Sequence, residues 1–380
     1  MKSDDKPKLL ILSFSDINSD ARVLKQVRLF KRDYAVTTAS LGEPPEGVTN
    51  HIQLPVGNTL GSVNRRYIVL KQYRLAYWRI PTIKKAWRVL AQQRGRFDVI
   101  LSNDLDAAPL ALRLKPRLGV HADLHEYFPA LHDENITWVK VIKPWINWLI
   151  SHYVARAQSV TTVSHGLEQA YRDQFNLEPS FVPNATPYAN LDVKEVIPPI
   201  KLVHSGAGLP RRRMEIMLDA VEATSKNITL DLYLTANNPA YISELRKRYT
   251  SQRITFHDPV PYSQLVSTLN CYDVGIFILP PVNFSYKWAL PNKVFDFIQA
   301  RLGILVGPSP EMTDLVAQCQ NGVVANSFEV NDVVQAIETL TVENVTQFKA
   351  ASNRAAPELC AEKQVNGWYQ AVGKIANSGS

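Results

Sequence analysis

The chain has 380 residues, of which 46% are hydrophobic and 20% are charged. This length predicts two or three domains with sizeable cores, and the composition excludes a disordered or fibrous chain. Cys271, Cys319 and Cys360 lie far apart and form no CxxC pair, so we expect reduced thiols rather than a disulfide framework or a structural zinc site. The apolar run at residues 9–14 is too short for the core of a signal peptide, and no transmembrane helix is expected.

The net charge of +7 is concentrated in the first half of the chain. Residues 1–185 contain 25 Lys and Arg against 17 Asp and Glu, a net charge of +8. The remaining residues contain 17 against 18, a net charge of −1. We therefore expect the two halves to face different partners.

Short apolar runs alternate with helical patterns in both halves of the chain. This alternation predicts parallel sheets that are covered by helices on both faces. The predicted strands are residues 8–14, 34–40, 97–102, 119–124 and 159–163 in the first half, and residues 200–205, 228–234, 253–257, 273–279 and 304–307 in the second.

A proline-rich stretch without periodicity at residues 184–199 indicates a boundary between two domains. We predict two doubly wound, Rossmann-like α/β domains, comprising residues 1–190 and 191–356. Ligands of such sheets bind outside the carboxyl ends of the strands, so two sheets facing each other would form one central cleft.

A glycine-rich turn with three consecutive arginines follows the predicted strand at residues 200–205. It runs from Ser205 through Gly206 to Arg211, Arg212 and Arg213, and a helix is predicted after it. Arginines at a helix N-terminus oppose the helix dipole, and a bound anion would resolve that conflict. The pattern therefore indicates a phosphate site, with a solvated basic turn as the alternative.

Residues 289–300 are predicted to form a largely buried helix with Pro291 in its first turn. Asn292, Asp296 and Gln299 form one polar stripe on this helix, and such a stripe on a buried helix favours a position facing a cleft. The Asp296 carboxylate could hold a vicinal diol such as a ribose. The alternative is a carboxylate that is hydrogen-bonded internally.

Two acidic motifs follow predicted strands of the first half. Asp123, His125 and Glu126 lie at the end of one strand and just beyond it. This places His125 at the mouth of the expected cleft, where a catalytic role and a structural role fit the pattern equally well. Asp104 and Asp106 superficially match an Asp-x-Asp metal motif, but we expect a helix-capping or loop role there. No metal site is expected.

Residues 47–97 contain no Asp or Glu but carry many basic and aromatic residues. This mixture suits an anionic membrane interface, and without a nucleic-acid motif we expect no nucleic acid. The alternative is a solvated amphipathic helix whose aromatic residues pack on the core. The basic residues are Arg65, Arg66, Lys71, Arg74, Arg79, Lys84, Lys85, Arg88, Arg94 and Arg96, and the aromatic ones are Tyr67, Tyr73, Tyr77, Trp78 and Trp87.

Together these motifs resemble the retaining glycosyltransferases of family 4, which have the GT-B fold, and the resemblance covers almost the whole chain. Residues 20–23 look like the N-terminal loop that contacts donor and acceptor in many members, and residues 123–126 are similar to the stretch whose histidine contacts the donor sugar. Residues 206–213 resemble the diphosphate-binding loop. Residues 290–296 are similar to the nucleotide-sugar helix of a subgroup with a Pro-Asn-Lys signature. The segment around Trp368 looks like the helix that crosses back to the first domain, which implies a third segment at residues 357–380.

The resemblance implies transfer of a hexosyl group from a nucleotide diphosphate sugar with retention of configuration, without a metal, a cofactor or a protein nucleophile. It implies catalytic roles for His125, Arg211 and Arg212. It places Gly206, Arg211, Arg212, Asn292, Lys293 and Asp296 on the donor, and Asp20, Arg22, Asp104 and Glu126 on the acceptor side.

Two departures from the family pattern leave the identity of the sugar open. The family's common pair of glutamates would fall on Trp288 and Asp296, and an indole cannot accept hydrogen bonds from a sugar. The glycine pair often found in the first loop is absent, and residues 15–18 stand in its place. Two alternatives therefore stay open: a catalytically silent GT-B subunit that binds a membrane or a partner glycosyltransferase, and a nucleotide-sugar epimerase.

The basic stretch lies in the half that is expected to hold the acceptor. We therefore expect a lipid-linked or polysaccharide-precursor acceptor and an anionic membrane surface as partners. The expected location is cytoplasmic, with peripheral association at the inner face of the membrane.

Overall fold

The computed structural model describes residues 6–377, which form two compact units. The first unit contains the described residues through Pro183, the segment Asn283–Ser285, and the described residues from Val365 onwards. The second unit contains Asn184–Val282 and Tyr286–Gln364. Residues 357–364 belong to the second unit and residues 365–377 to the first. The predicted domain bounds stay a prediction.

The first unit is built on a seven-stranded parallel sheet with the strand order β3-β2-β1-β4-β5-β6-β7. The strands β4 and β5 are buried along their whole length, as expected where helices cover both faces. The strands are β1 (Lys8–Asp16), β2 (Ala35–Leu41), β3 (Asn50–Gln53), β4 (Val99–Asn103), β5 (Gly119–Leu124), β6 (Ser159–Thr162) and β7 (Pro179–Phe181).

The second unit is built on a six-stranded parallel sheet with the order β10-β9-β8-β11-β12-β13. Its strands are β8 (Ile200–Ala207), β9 (Ile228–Thr235), β10 (Ile254–His257), β11 (Val274–Phe277), β12 (Gly303–Val306) and β13 (Gly322–Val324). In both sheets the order in which strands are added reverses beside the first strand of the unit, between β1 and β4 in one sheet and between β8 and β11 in the other. The prediction of two doubly wound, Rossmann-like units is confirmed.

The ten predicted strands all coincide with observed strands, whereas β3, β7 and β13 escaped prediction. These three strands have only three or four residues, and each lies at an edge of its sheet. A short edge strand is partly solvated, so it lacks the apolar run that marks the central strands.

Helices connect the strands and cover the sheets. The helices are α1 (Ala21–Phe30), α2 (Arg65–Val69), α3 (Tyr73–Trp78), α4 (Pro81–Leu90), α5 (Asp104–Arg113), α6 (Lys143–His152), α7 (His165–Phe175), α8 (Glu215–Ala223), α9 (Pro239–Arg248), α10 (Tyr262–Leu269), α11 (Phe284–Lys287), α12 (Asn292–Gln299), α13 (Pro310–Cys319), α14 (Val330–Glu338), α15 (Val342–Ala355), α16 (Ala361–Gln364) and α17 (Asn366–Asn377). None of the helices within residues 6–377 is long and apolar enough to cross a membrane.

The C-terminal helix α17 belongs to the core of the first unit. Trp368, Val372 and Ile375 occupy one face of α17 and are buried in a cluster with residues of α1, β1 and β4. Their spacing of three and four residues places them on the same side of the helix. The last stretch of the chain thereby supports the strands whose ends carry the acidic motifs.

Candidate functional site

A cavity of about 500 Å³ lies at the carboxyl ends of the strands of the second unit. This volume is in the range of sites that bind small molecules. We call this cavity the phosphate pocket. Its lining comprises Ser205, Gly206, Arg212, Tyr233, Thr235, Pro259, Val260, Tyr262, Leu265, Pro291, Asn292, Lys293 and Asp296.

Gly206, Arg212 and Lys293 converge at the end of β8. Gly206 has a φ of +142°, and a Cβ added there would lie 2.7 Å from the Nζ of Lys293 and 3.3 Å from a terminal nitrogen of Arg212. Only glycine therefore combines this backbone conformation with the close approach of two cations. The result is a backbone turn flanked by two positive charges, which suits a phosphate group.

Among the described residues, Lys293 and Arg212 are only partly compensated by negative charge and by hydrogen-bond acceptors. Burial and, to a smaller extent, the nearby charge of Arg212 lower the pKa of Lys293, Asp296 only partly opposes them, and the net result is a pKa of about 7. The buried Nε of Arg212 has no hydrogen-bond acceptor within residues 6–377. A bound dianion would therefore both restore the charge of Lys293 and supply the acceptor that Arg212 lacks.

The three consecutive arginines have different surroundings. They belong to a 3₁₀ turn at Pro210–Arg212 and its following residue, which has a φ of +48°. Arg212 is half-buried and lines the phosphate pocket, whereas Arg211 is exposed, with its guanidinium 5.6 Å from the ring centroid of Tyr286. The sequence motif thus contributes one guanidinium to the pocket, and the assignment of Arg211 to the diphosphate stays a prediction.

The polar stripe of α12 is divided. Asn292 and Asp296 line the phosphate pocket, but Gln299 is buried elsewhere. The side chain of Gln299 donates to the Ala356 carbonyl at 2.7 Å and accepts from the backbone of Ala189 at 3.1 Å. The expectation that the whole stripe faces a cleft is therefore wrong for Gln299, which satisfies buried backbone groups instead.

Asp296 combines the two alternatives from the sequence, since it both faces the pocket and is hydrogen-bonded internally. Its carboxylate borders the pocket, and its Oδ1 also accepts a hydrogen bond from Thr186 Oγ1 at 2.5 Å. The hydrogen bond fixes the carboxylate, so one oxygen is engaged internally while the residue remains at the pocket wall. The ribose assignment of Asp296 stays a prediction.

Several pocket residues carry no motif in the sequence. Tyr233 and Thr235 end β9, Pro259 and Val260 follow β10, and Tyr262 begins α10. Their common feature is a position at or soon after the carboxyl end of a strand, which is the one sequence signal that could have found them. His204 also escaped prediction: burial lowers its pKa to about 3, with help from the charge of Lys293, so it is neutral beneath the pocket.

Trp288 does not line the phosphate pocket. It is half-buried, and the Nζ of Lys287 lies 5.2 Å from its ring centroid.

In the first unit, Arg22 forms a buried ion pair with Asp123. Nε and Nη2 of Arg22 donate to the two carboxylate oxygens at 2.8 and 2.7 Å, and Nη1 donates to the Val182 carbonyl at 2.9 Å. The guanidinium also stacks on Trp368, 4.5 Å from the ring centroid. With 4% exposure, Arg22 is placed inside the unit rather than on a ligand-accessible surface, and its acceptor-side role stays a prediction.

His125 lies between two carboxylates. Its Nε2 is 3.2 Å from Asp123 Oδ2, its Nδ1 is 3.5 Å from Asp104 Oδ2, and its backbone N–H donates to Asp104 Oδ1. Burial lowers the pKa of His125, but the charges of Asp104 and Asp123 outweigh burial and raise it overall. The two carboxylates thus stabilise the protonated form of this imidazole at the end of β5 relative to an isolated histidine.

The other acidic residues that the sequence singled out in the first unit differ in their surroundings. Asp20 caps α1 by accepting from the backbone of Arg22 and Val23, and Glu126 is exposed. Asp104 begins α5 with a φ of +65°, a conformation that a residue other than glycine rarely adopts. Its partner in the motif, Asp106, accepts from Thr59, and burial together with the charge of Asp104 raises the pKa of Asp106 to about 7.

The basic stretch of the first unit forms β3 and the helices α2, α3 and α4. All ten of its basic side chains are exposed. Of its five aromatic residues only Tyr77 is fully buried, and the other four are half-buried. Val69, Leu70 and Leu75 on and between α2 and α3 are exposed large apolar residues.

Comparison with known proteins supports one family and one fold. The model of Glycosyltransferase Family 4 matches residues 27–187. No curated protein sequence matches the chain significantly.

Solved structures match almost the whole chain at low identity. Sucrose-phosphate synthase (tll1590) from Thermosynechococcus elongatus has a TM-score of 0.72 at 13% identity and covers 98% of this chain and 100% of its own. Anabaena Alr3699/HepE in complex with UDP-glucose has a TM-score of 0.69 at 13% identity and covers 97% and 99%. An α,α-trehalose-phosphate synthase (UDP-forming) from Burkholderia vietnamiensis has a TM-score of 0.71 at 9% identity and covers 98% and 99%. The chain therefore has the GT-B fold of these proteins.

Proposed function

We propose that this protein is a retaining hexosyltransferase that uses a nucleotide diphosphate sugar as donor and needs no metal ion or cofactor. The observation that carries the proposal is the convergence of Gly206, Arg212 and Lys293 in the phosphate pocket. The match to Glycosyltransferase Family 4 and the GT-B fold support the same class of reaction.

In the proposed reaction the leaving group is a nucleoside diphosphate. Its negative charge grows as the glycosidic bond breaks, and preorganised cations at that position lower the barrier. Arg212 would donate a hydrogen bond from its Nε to a phosphate oxygen. Lys293 would supply a positive charge, and its protonated fraction would rise as negative charge develops on the phosphate. The protein would otherwise act by positioning the two substrates.

The direct test is release of nucleoside diphosphate from a panel of UDP-, GDP-, ADP- and dTDP-hexoses by the purified protein. We expect slow hydrolysis of at least one donor without added acceptor, an unchanged rate after exhaustive chelation with EDTA, and loss of activity in Lys293→Met. A chelated sample that revives only with manganese or magnesium would contradict metal independence.

Two other outcomes would contradict the transfer reaction. Binding of a donor without turnover would favour the catalytically silent subunit. Conversion of the sugar to an epimer without release of nucleoside diphosphate would favour the epimerase.

The lowered pKa of Lys293 predicts that nucleoside diphosphate binding takes up a proton. At pH 8 the amine is mostly neutral in the free protein, because its pKa is about 7, and the bound phosphates would raise that pKa. We expect uptake close to one proton per ligand at pH 8 and little at pH 6. Affinity should fall as the pH rises above 7, by up to about tenfold per pH unit.

Calorimetry in two buffers with different ionisation enthalpies measures this uptake. Lys293→Met is the matched control, since any proton exchange by the nucleotide itself remains in the variant. Equal uptake in both proteins at pH 8 would refute the role of Lys293.

The acceptor is proposed to be lipid-linked or a polysaccharide precursor at the inner face of the membrane, with the protein bound peripherally to anionic lipid. The support is the exposure of all ten basic side chains of residues 47–97, next to the exposed Val69, Leu70 and Leu75. Each well-placed basic residue contributes about 1 kcal/mol at an anionic surface.

Co-sedimentation with vesicles tests membrane association. Binding should require anionic lipid, weaken as salt rises, and drop when Arg65, Arg66, Lys84 and Lys85 are neutralised. If the protein ignores anionic vesicles at low salt, the membrane proposal is wrong and the transfer reaction is unaffected.

A further inference from the structure

The first unit contains another cationic cavity, which we call the basic cavity. It has a volume of about 420 Å³, and none of the described residues that line it is acidic. Five cationic side chains contribute to its wall: Arg74, Arg94, Arg113, Lys115 and Arg156.

The basic cavity lies at the amino-terminal ends of the strands of the first unit. Arg94 precedes β4, Lys115 precedes β5 and Arg156 precedes β6, so three consecutive connections bring these cations to the same end of the sheet. The backbone of Gly95 donates to the Leu114 carbonyl at 2.8 Å, which holds two of the connections together. His125 and its carboxylates follow the opposite, carboxyl ends of the strands, so the basic cavity is separate from that cluster.

The five cations have no ionic partner within residues 6–377, since none of them forms a salt bridge there. The nearby Asp98, just before β4, is already paired with Arg117. Like charges that share one cavity repel one another, and a bound anion would relieve that repulsion.

One guanidinium of the cavity is held in place by aromatic rings. Arg113 lies 4.3 Å from the ring centroid of Trp78 and 4.1 Å from that of Trp87. Trp78 is itself fixed by a hydrogen bond from its Nε1 to the hydroxyl of Tyr153 at 3.3 Å. A stacked guanidinium retains its planar fork of donors, which matches two oxygens of a phosphate.

We propose that the basic cavity binds a compact phosphate-bearing ligand. Five converging cations, a stacked arginine and the absence of lining carboxylates match a phosphate monoester or diphosphate. The group could belong to a soluble molecule or to a lipid headgroup, because Arg74 adjoins the exposed Leu75 of α3. The site does not depend on the proposed transferase activity.

The test is calorimetric titration with inorganic pyrophosphate, in a full-length chain whose phosphate pocket is disabled by Arg212→Ala and Lys293→Met. We expect this parent to retain one pyrophosphate site. Adding Arg94→Gln and Arg156→Gln should weaken that site by roughly tenfold or more. Both residues are exposed, so an unchanged thermal midpoint should accompany the loss.

Lys84→Gln with Lys85→Gln is the matched control, since it removes two exposed charges from α4 outside the cavity. The control should bind pyrophosphate as the parent does. Equal binding by the cavity variant and the parent would overturn the proposal, and so would an equal loss in the control, because only the general field would then be acting.

Vesicles that contain phosphatidic acid identify the source of the phosphate. If the cavity variant loses binding to these vesicles beyond the loss in the lysine control, the ligand is a lipid headgroup. If both variants bind the vesicles alike while only the cavity variant loses pyrophosphate, the ligand is soluble. Either result upholds the cavity as a phosphate site.

Discussion

Asp123→Ala is expected to lower the free energy of unfolding of the first unit by about 3–5 kcal/mol. The substitution leaves the Arg22 guanidinium buried, at 4% exposure, without its carboxylate. It also removes the acceptor used by Gln26 and Thr161, which donate to Asp123 at 2.7 Å each. Urea-induced unfolding followed by tryptophan fluorescence measures the effect, because six of the seven tryptophans lie in this unit.

The exposed pair Arg172–Glu178 in the same unit provides the control. Its atoms are 3.2 Å apart, but both side chains are largely solvated, so Glu178→Gln should cost at most about 1 kcal/mol. A cost below about 1.5 kcal/mol for Asp123→Ala would show that the buried pair contributes little, contrary to expectation.

The effect of Asp123→Ala should also depend on pH. Burial alone would raise the pKa of Asp123, but the charge of Arg22 and the hydrogen bonds from His125 and Arg22 outweigh it and hold the pKa well below its usual value. A depressed pKa stabilises the folded state above the usual value and loses that contribution as the pH falls. The difference between the two proteins should thus shrink below about pH 4. Because Asp123 also raises the pKa of His125, a second part of the difference should be lost as the pH rises from about 6.5 through that raised pKa.

Arg212→Ala is expected to weaken nucleoside diphosphate binding by about 1.5–3 kcal/mol while leaving nucleoside binding unchanged. The reason is that Arg212 lines the phosphate pocket with a buried Nε that has no acceptor in the described part of the chain. Titration calorimetry with the nucleoside diphosphate and the matching nucleoside measures both affinities.

The neighbouring arginines provide the controls. Arg213→Gln removes an exposed charge that does not line the pocket, and Arg211→Ala removes one that stacks on Tyr286, so both should have smaller effects. Equal losses for nucleoside and nucleoside diphosphate in Arg212→Ala would contradict the phosphate assignment. Equal losses in all three variants would mean that general charge, not the pocket, attracts the ligand.

The arginine motif shows what a short stretch of sequence can predict about the pocket and what it cannot. The glycine turn followed by basic residues is readable because its chemistry lies within nine consecutive positions. Which arginine enters the pocket depends on the 3₁₀ turn and on the ring of Tyr286, which is remote in sequence. The other walls of the pocket come from the ends of β9 and β10, and no local pattern connects them with Gly206.

The buried polar residues show the same limit. Arg22 and Gln299 look like surface or ligand-facing residues, because charged and amide side chains are usually solvated. Arg22 is buried because Asp123, a hundred residues away in the chain, offers two oxygens to its guanidinium. Gln299 is buried because backbone groups of two distant segments need its amide.

The sequence by itself determined the two parallel α/β units and the central strands, because a strand that is buried on both faces must be apolar along its length. It also predicted the glycine turn and its neighbouring arginines at the end of β8, because that pattern lies within one short stretch of the chain, but it left open which arginine lines the pocket. Only the tertiary structure decided the edge strands, the pairing of Arg22 with Asp123, and the meeting of Arg94, Lys115 and Arg156 in the basic cavity. Those features depend on contacts between residues that are far apart in the chain, and such contacts are made only when the sheet brings the ends of its strands together.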